Sequence, residues 1–147
     1  MSRCISFKQI VSAKAYKLDE VTTDIPFGVF MPEIKSEDLT ISGKGIKLRI
    51  KEDAQLKVTP KSDVPGDSFT NVFSYEEDTP NKIIDSQIKE LEQHPHHLVI
   101  ECLGGGEYFI RASKDTYICN FSETDGKREV EITITNISGA QRILPYE

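Results

Sequence analysis

The chain has no tryptophan among its 147 residues, only three cysteines, no CxxC pair, and no apolar run near the roughly 18 residues a membrane span needs. These absences argue against a disulfide scaffold, a paired-cysteine zinc site and a helical membrane protein. The opening Met1-Ser2-Arg3-Cys4-Ile5-Ser6-Phe7-Lys8 lacks the apolar core of a secretory leader, so the sequence predicts a soluble, cytoplasmic protein. Cys4, Cys102 and Cys119 then read as thiols of a reducing compartment, packed as small apolar side chains. Also missing are an HExxH pair, a nucleophile in a recognised context and a glycine-rich loop that leads into a helix. No catalytic role, metal or cofactor is therefore expected, and the chain reads as a non-enzyme.

Hydrophobic residues make up 37% and charged residues 29%, an ordinary globular balance that is neither collagen-like nor mucin-like and fits one domain over residues 1–147. Eighteen basic residues against 24 acidic ones give a net charge of −6, which disfavours non-specific binding to nucleic acid or anionic membranes through the whole surface.

Periodicity predicts an α+β fold, mostly antiparallel β-sheet with one amphipathic helix. Residues 5–18 are ambiguous: Ile5, Phe7, Val11, Ala13 and Ala15 alternate as a strand does, while Phe7, Ile10, Val11 and Leu18 share a helical face. The reading leans to strand and leaves helix open. Pro26, Gly28 and Pro32 restrict Val29-Phe30-Met31 to a short extended piece at a sheet edge. Ile46, Leu48 and Ile50 alternate with Lys47, Arg49 and Lys51, and Leu56 and Val58 resume the pattern after Glu52-Asp53, predicting a hairpin over 45–60. Phe69 to Tyr75 is a further strand.

A helix over about 80–93 is marked by Thr79 as its cap, Pro80 at its first turn, an apolar face of Ile83, Ile84, Ile88 and Leu91, and Pro95 beyond its end. After it come Leu98 to Leu103, the turn Gly104-Gly105-Gly106, Glu107 to Ala112, Thr116 to Ser122, the tight turn Asp125-Gly126, and Arg128 to Ile137, where Val130, Ile132 and Ile134 alternate with Glu129, Glu131 and Thr133. These predict a C-terminal four-strand β-meander.

All three histidines fall in His94-Pro95-His96-His97, and with Glu92 or Cys102 such spacing can be drawn as a zinc or nickel site. A solvated loop is the simpler reading, and no metal is expected. Asn120-Phe121-Ser122 and Asn136-Ile137-Ser138 match the glycosylation tripeptide, which matters only in secreted eukaryotic chains.

Charge is unevenly placed. Residues 35–61 hold seven Lys/Arg against four Asp/Glu, a net +3 that leaves −9 for the rest. Lys44, Lys47, Arg49 and Lys51 form a candidate basic face for phosphates or a small ligand, although no aromatics are interleaved for base stacking. Glu76, Glu77 and Asp78 before the helix, with Asp85, Glu90 and Glu92 on its outer side, form a candidate acidic surface for a basic protein partner.

The order from about Asn81 to Ser122, an amphipathic helix, then Leu98-Val99-Ile100-Glu101, a glycine turn and Glu107-Tyr108-Phe109-Ile110, resembles that of immunity proteins that neutralise bacterial polymorphic or contact-dependent toxins. The resemblance implies a small acidic cytoplasmic protein that binds its cognate toxin and occludes the active site. The leading expectation is thus a protein-binding inhibitor acting through the acidic surface. The alternatives are a small-ligand or nucleic-acid binding module using the basic face, and an enzyme with an unrecognised site.

Overall fold

In the computed structural model, which describes residues 5–6, 9–60, 68–77, 82–103 and 106–145, period-two alternation gives thirteen strands and one α-helix among those residues. Side chains are described at all of these positions except 5–6, 52–53, 82–85 and 124. In chain order the elements are β1 (Ile5–Ser6), β2 (Ile10–Lys17), β3 (Val21–Thr22), β4 (Glu33–Lys35), β5 (Thr40–Ile41), β6 (Ile46–Lys47), β7 (Ile50–Pro60) and β8 (Phe69–Glu77). Then follow α1 (Lys82–Gln93), β9 (His96–Cys102), β10 (Glu107–Ile110), β11 (Tyr117–Thr124), β12 (Lys127–Asn136) and β13 (Ala140–Leu144). The fold is α+β with antiparallel-dominated sheets, as the periodicity predicts.

A five-stranded sheet runs β1-β7-β8-β12-β11, a six-stranded sheet runs β4-β13-β10-β9-β2-β6, and β3 pairs with β5 in a small ribbon. Only the β13–β4 pairing is parallel among these. Leu56, Phe73, Ile132 and Ile134 of the five-stranded sheet share one buried cluster with Ala13, Leu98, Ile100 and Ile110 of the six-stranded sheet. Ile88 and Leu91 of α1 join the same cluster, so the helix buries the face the sequence assigns to it. Each large side chain so removed from water contributes about 1.5–3 kcal/mol.

The six-stranded sheet is also covered on its other face. There Tyr16, Val21, Ile34 and Phe109 form a second cluster, supplied in part by the excursion between β2 and β6. Burial on both faces explains why His97-Leu98-Val99-Ile100 of β9 does not alternate between apolar and charged residues.

At the level of topology one open reading is decided and two expectations change. Ile5–Ser6 and Ile10–Lys17 are strands, as the reading of this stretch leans, with Gln9 at φ 49° just before the second. The hairpin over 45–60 does not form: β6 pairs with β2 in one sheet, while β7 runs unbroken through Glu52-Asp53 in the other. Register shifts between Ile50 and Glu52 and between Glu52 and Gln55 mark a bulged stretch, which interrupts alternation without reversing the chain. Val29-Phe30-Met31 is not a strand, and the edge strand lies just beyond Pro32, as β4.

The strands after the helix come as two antiparallel pairs in different sheets, β9–β10 in the six-stranded sheet and β11–β12 in the five-stranded one, with β13 returning to the former. Asn136, 3% exposed, ties both crossings together. Its Nδ2 donates to the carbonyls of Arg111 at 3.0 Å and Gly139 at 3.1 Å, while its Oδ1 accepts from Gly139 N–H at 2.6 Å and Asn71 Nδ2 at 3.2 Å. A side chain so enclosed is closed to glycosylation in the folded protein. The cap and first turn expected at Thr79 and Pro80 lie outside the described residues.

Candidate functional site

Of the acidic residues singled out in the sequence, the four whose side chains are described do not share one surface. Glu77 is 3% exposed on the inner side of β8, where Arg128 Nη1 of β12 approaches its Oε2 at 3.5 Å. Arg128 also forks onto Glu123 Oε1, through Nε at 2.9 Å and Nη2 at 2.7 Å. Glu77 is thus a buried ion-pair member and not a docking residue, because alternation along β8 sends it inward with Phe73 and Tyr75. Glu90 turns toward Lys17 of β2 at 3.2 Å, and this bridge holds its carboxyl below the usual range. Glu92 is exposed on α1. Asp78 lies outside the described residues, as does the side chain of Asp85.

Glu76 faces the opposite way from Glu77, onto the outer surface of the five-stranded sheet. In register it lies directly across from Glu129 of β12, whose other neighbour is Ser122 of β11. One row along the same face, Glu131 lies between Ser74 and Asn120, and the next row carries Thr133 between Val72 and Ile118. Residues opposite one another in an antiparallel ladder share a face, so Glu76, Glu129 and Glu131 form one acidic patch bordered by Ile118, which is 58% exposed. Like charges directly opposite destabilise a sheet. Lys51 Nζ, 3.2 Å from Glu76, offsets this only slightly, because a bridge with side chains 46% and 25% exposed is screened by water.

Sequence reasoning placed Glu129 and Glu131 on the wet side of a strand but had no means of setting Glu76 beside them. Register between β8 and β12 is a property of the folded sheet, with the whole of α1 lying between the two strands in the chain. The bordering strand β11 is eight residues long and ends the sheet, and no backbone partner lies along its outer edge among the described residues.

The basic face is also redistributed. Lys44, Lys47, Arg49 and Lys51 are all exposed, but Lys47 belongs to the six-stranded sheet and Lys51 to the five-stranded one, where it bridges Glu76. Lys47 instead lies opposite Lys14 of β2. A single phosphate-tracking strip along one strand therefore does not form, because the chain changes sheets at Leu48-Arg49.

Nor do the histidines converge. His96 and His97 are adjacent on β9, so their rings point to opposite faces of the six-stranded sheet, and His94 is exposed beyond the end of α1. His96 is fully buried, its Nδ1–H donates to the His94 carbonyl at 2.7 Å, and burial lowers its pKa. His97 Nδ1 accepts the Ala112 N–H at 2.9 Å, which places its proton on Nε2, and desolvation lowers its pKa to about 4. Among the described residues no group of three His, Cys, Asp or Glu side chains is placed to hold a metal ion.

Cys102 and Cys119 are buried free thiols, and burial pushes Cys119 up to about 11. That disfavours the thiolate a nucleophile needs. No helix among the described residues is long and apolar enough to cross a membrane. Comparison of the chain with protein-family models, with curated proteins and with solved structures finds no match.

Proposed function

We propose that the chain is a non-enzymatic binding protein that docks the outer face of its five-stranded sheet on a basic surface of a protein partner and inhibits it, as immunity-type proteins do. The observation that carries this reading is the cross-strand opposition of Glu76 and Glu129, with Glu131 in the next row. A basic partner surface would relieve that repulsion on binding, and complementary charge would speed the encounter and select the partner. Exposed Ile118 supplies an apolar contact beside the charges. The toxin as the partner's concrete form rests on the helix–hairpin resemblance alone.

The test is parallel purification of tagged wild type, E129K/E131K and E92K from the native host, with mass identification of co-purifying chains. The expected outcome is one stoichiometric basic chain held by wild type and E92K and lost from E129K/E131K, whose circular dichroism stays that of wild type. Recovery of wild type alone, or equal retention by E129K/E131K, overturns the proposal. Loss of the partner from E92K but not from the sheet variant would move the surface to α1 and overturn it equally.

A further inference from the structure

On the far side of the six-stranded sheet, away from the acidic patch, an open cleft of about 290 Å³ lies between the sheet and the excursion that follows β2. Its lining includes His97 and Phe109 from neighbouring strands β9 and β10, Arg111 and Lys114 just beyond β10, and Phe27 from the excursion. Among the described residues no carboxylate lines it. In a chain with 24 acidic residues against 18 basic ones, a concavity with two cations and no acid reverses the sign of the molecule as a whole.

The guanidinium of Arg111 is held in place by the protein. Its Nη1 donates to the Ile25 carbonyl at 2.6 Å, and its central carbon lies 5.5 Å from the centre of the Phe27 ring. One donor of the five is thereby used and the plane is fixed, while no carboxylate among the described residues pairs with it. Burial disfavours its charge, so an anion that paired with it would be doubly favoured. Lys114 stands exposed at the rim on a turn, anchored by the Ser113 N–H to Thr116 Oγ1 bond of 3.1 Å.

The floor is apolar and rigid. The His97 and Phe109 rings lie 5.4 Å apart at 47°, and desolvation keeps the imidazole neutral at physiological pH, so it adds no competing charge. A fixed guanidinium fork and a mobile ammonium above two aromatic side chains are what an oxyanion on a flat body requires.

We propose that this cleft is a binding site for a small organic anion, a carboxylate or phosphate carried on a planar apolar body, with the oxyanion on Arg111 and Lys114 and the body between Phe27 and Phe109. The site is independent of the protein-docking face, since neither its residues nor its sheet take part in the acidic patch. At this volume it suits a ligand at the small end of the range that protein pockets accept.

The test is a titration of the full chain with sodium benzoate, phenyl phosphate and the neutral benzamide, followed by amide chemical shifts. Benzoate or phenyl phosphate is expected to shift Phe27, His97, Phe109, Arg111, Ala112 and Lys114 in a saturable way, and whichever binds tighter names the headgroup. Benzamide should bind at least tenfold more weakly. Because R111Q also loses the Ile25 contact, K114Q and R111K serve beside it: K114Q should weaken binding severalfold with an unchanged spectrum elsewhere, and R111K tenfold or more through loss of the fork. K47Q, on the same sheet but outside the cleft, should bind as wild type does. Benzamide binding as tightly as benzoate, absence of saturable shifts at these residues, or affinity unchanged in both K114Q and R111K overturns the site.

Discussion

Arg128 and His97 show how single residues set the stability of this sandwich. Arg128, 8% exposed, faces the enclosed Glu77 carboxylate on one side and the largely exposed Glu123 on the other. Removing the cation leaves a charge in the interior, so Arg128→Ala is expected to cost about 3 kcal/mol. Glu123→Ala should cost under about 1 kcal/mol, because water takes over that partner's role. Urea unfolding of the two variants measures the contrast. His97 adds a pH dependence whose direction follows from burial. Its folded pKa, about 4, lies below the unfolded value of about 6.5. Above pH 6.5 both states are neutral there, whereas between 6.5 and 4 the unfolded chain binds a proton that the folded one refuses. Stability from this residue is therefore full at neutral pH and lost on acidification, by roughly 3 kcal/mol in all. His97→Asn keeps an acceptor for the Ala112 N–H and does not titrate. Its stability should fall less steeply than that of wild type between pH 7 and 4, and equal slopes would show that His97 does not titrate as described.

At the scale of elements, two glycines with positive φ serve differently. Gly126 (φ 77°) and Asp125 (φ 52°) form the two-residue turn between β11 and β12, whose left-handed backbone matches the twist of the strands. A Cβ at Gly126 meets nothing within 4 Å, so Gly126→Ala should cost about 1 kcal/mol from backbone strain alone. At Gly139 (φ 70°) a Cβ would approach Val58 Cγ1 to 3.1 Å and the Phe69 ring to 3.4 Å, and the Asn136 network closes around the same turn. Gly139→Ala should therefore lower the thermal midpoint more than Gly126→Ala does. The edge strand β11 is a different kind of element. It carries Ile118 and Phe121 exposed, and it is long for an edge that lacks proline and lysine. Ile118→Lys should reduce self-association at high concentration, as light scattering would record, with little effect on stability.

Across the whole molecule, charge is divided between surfaces that the chain visits several times. Glu76, Glu129 and Glu131 occupy one outer face, while Lys14 and Lys47 lie together on the other sheet. A partner held by the acidic face should dissociate with rising salt, and its association rate should fall more than its dissociation rate rises. Stopped-flow association at two ionic strengths measures this once the partner is in hand. A rate insensitive to salt would mean that the acidic face does not steer the encounter.

Local chemistry was readable residue by residue. Alternation in β12 set Val130, Ile132 and Ile134 on one face and Glu129 and Glu131 on the other, the apolar face of α1 predicted the burial of Ile88 and Leu91, and Asp125-Gly126 announced its turn. Each of these depends on neighbours within a few positions, and the sequence by itself determined them because side-chain direction follows directly from strand and helix periods. Which strand lies beside which depends instead on contacts far apart in the chain. Only the tertiary structure divided β9–β10 from β11–β12 between sheets, carried the chain from β6 into β7, and set Arg128 against the Glu77 carboxylate. The same long-range pairing set Glu129 opposite Glu76 and brought Phe27 over Arg111. Both candidate surfaces are products of register and packing, which no local pattern of residues encodes.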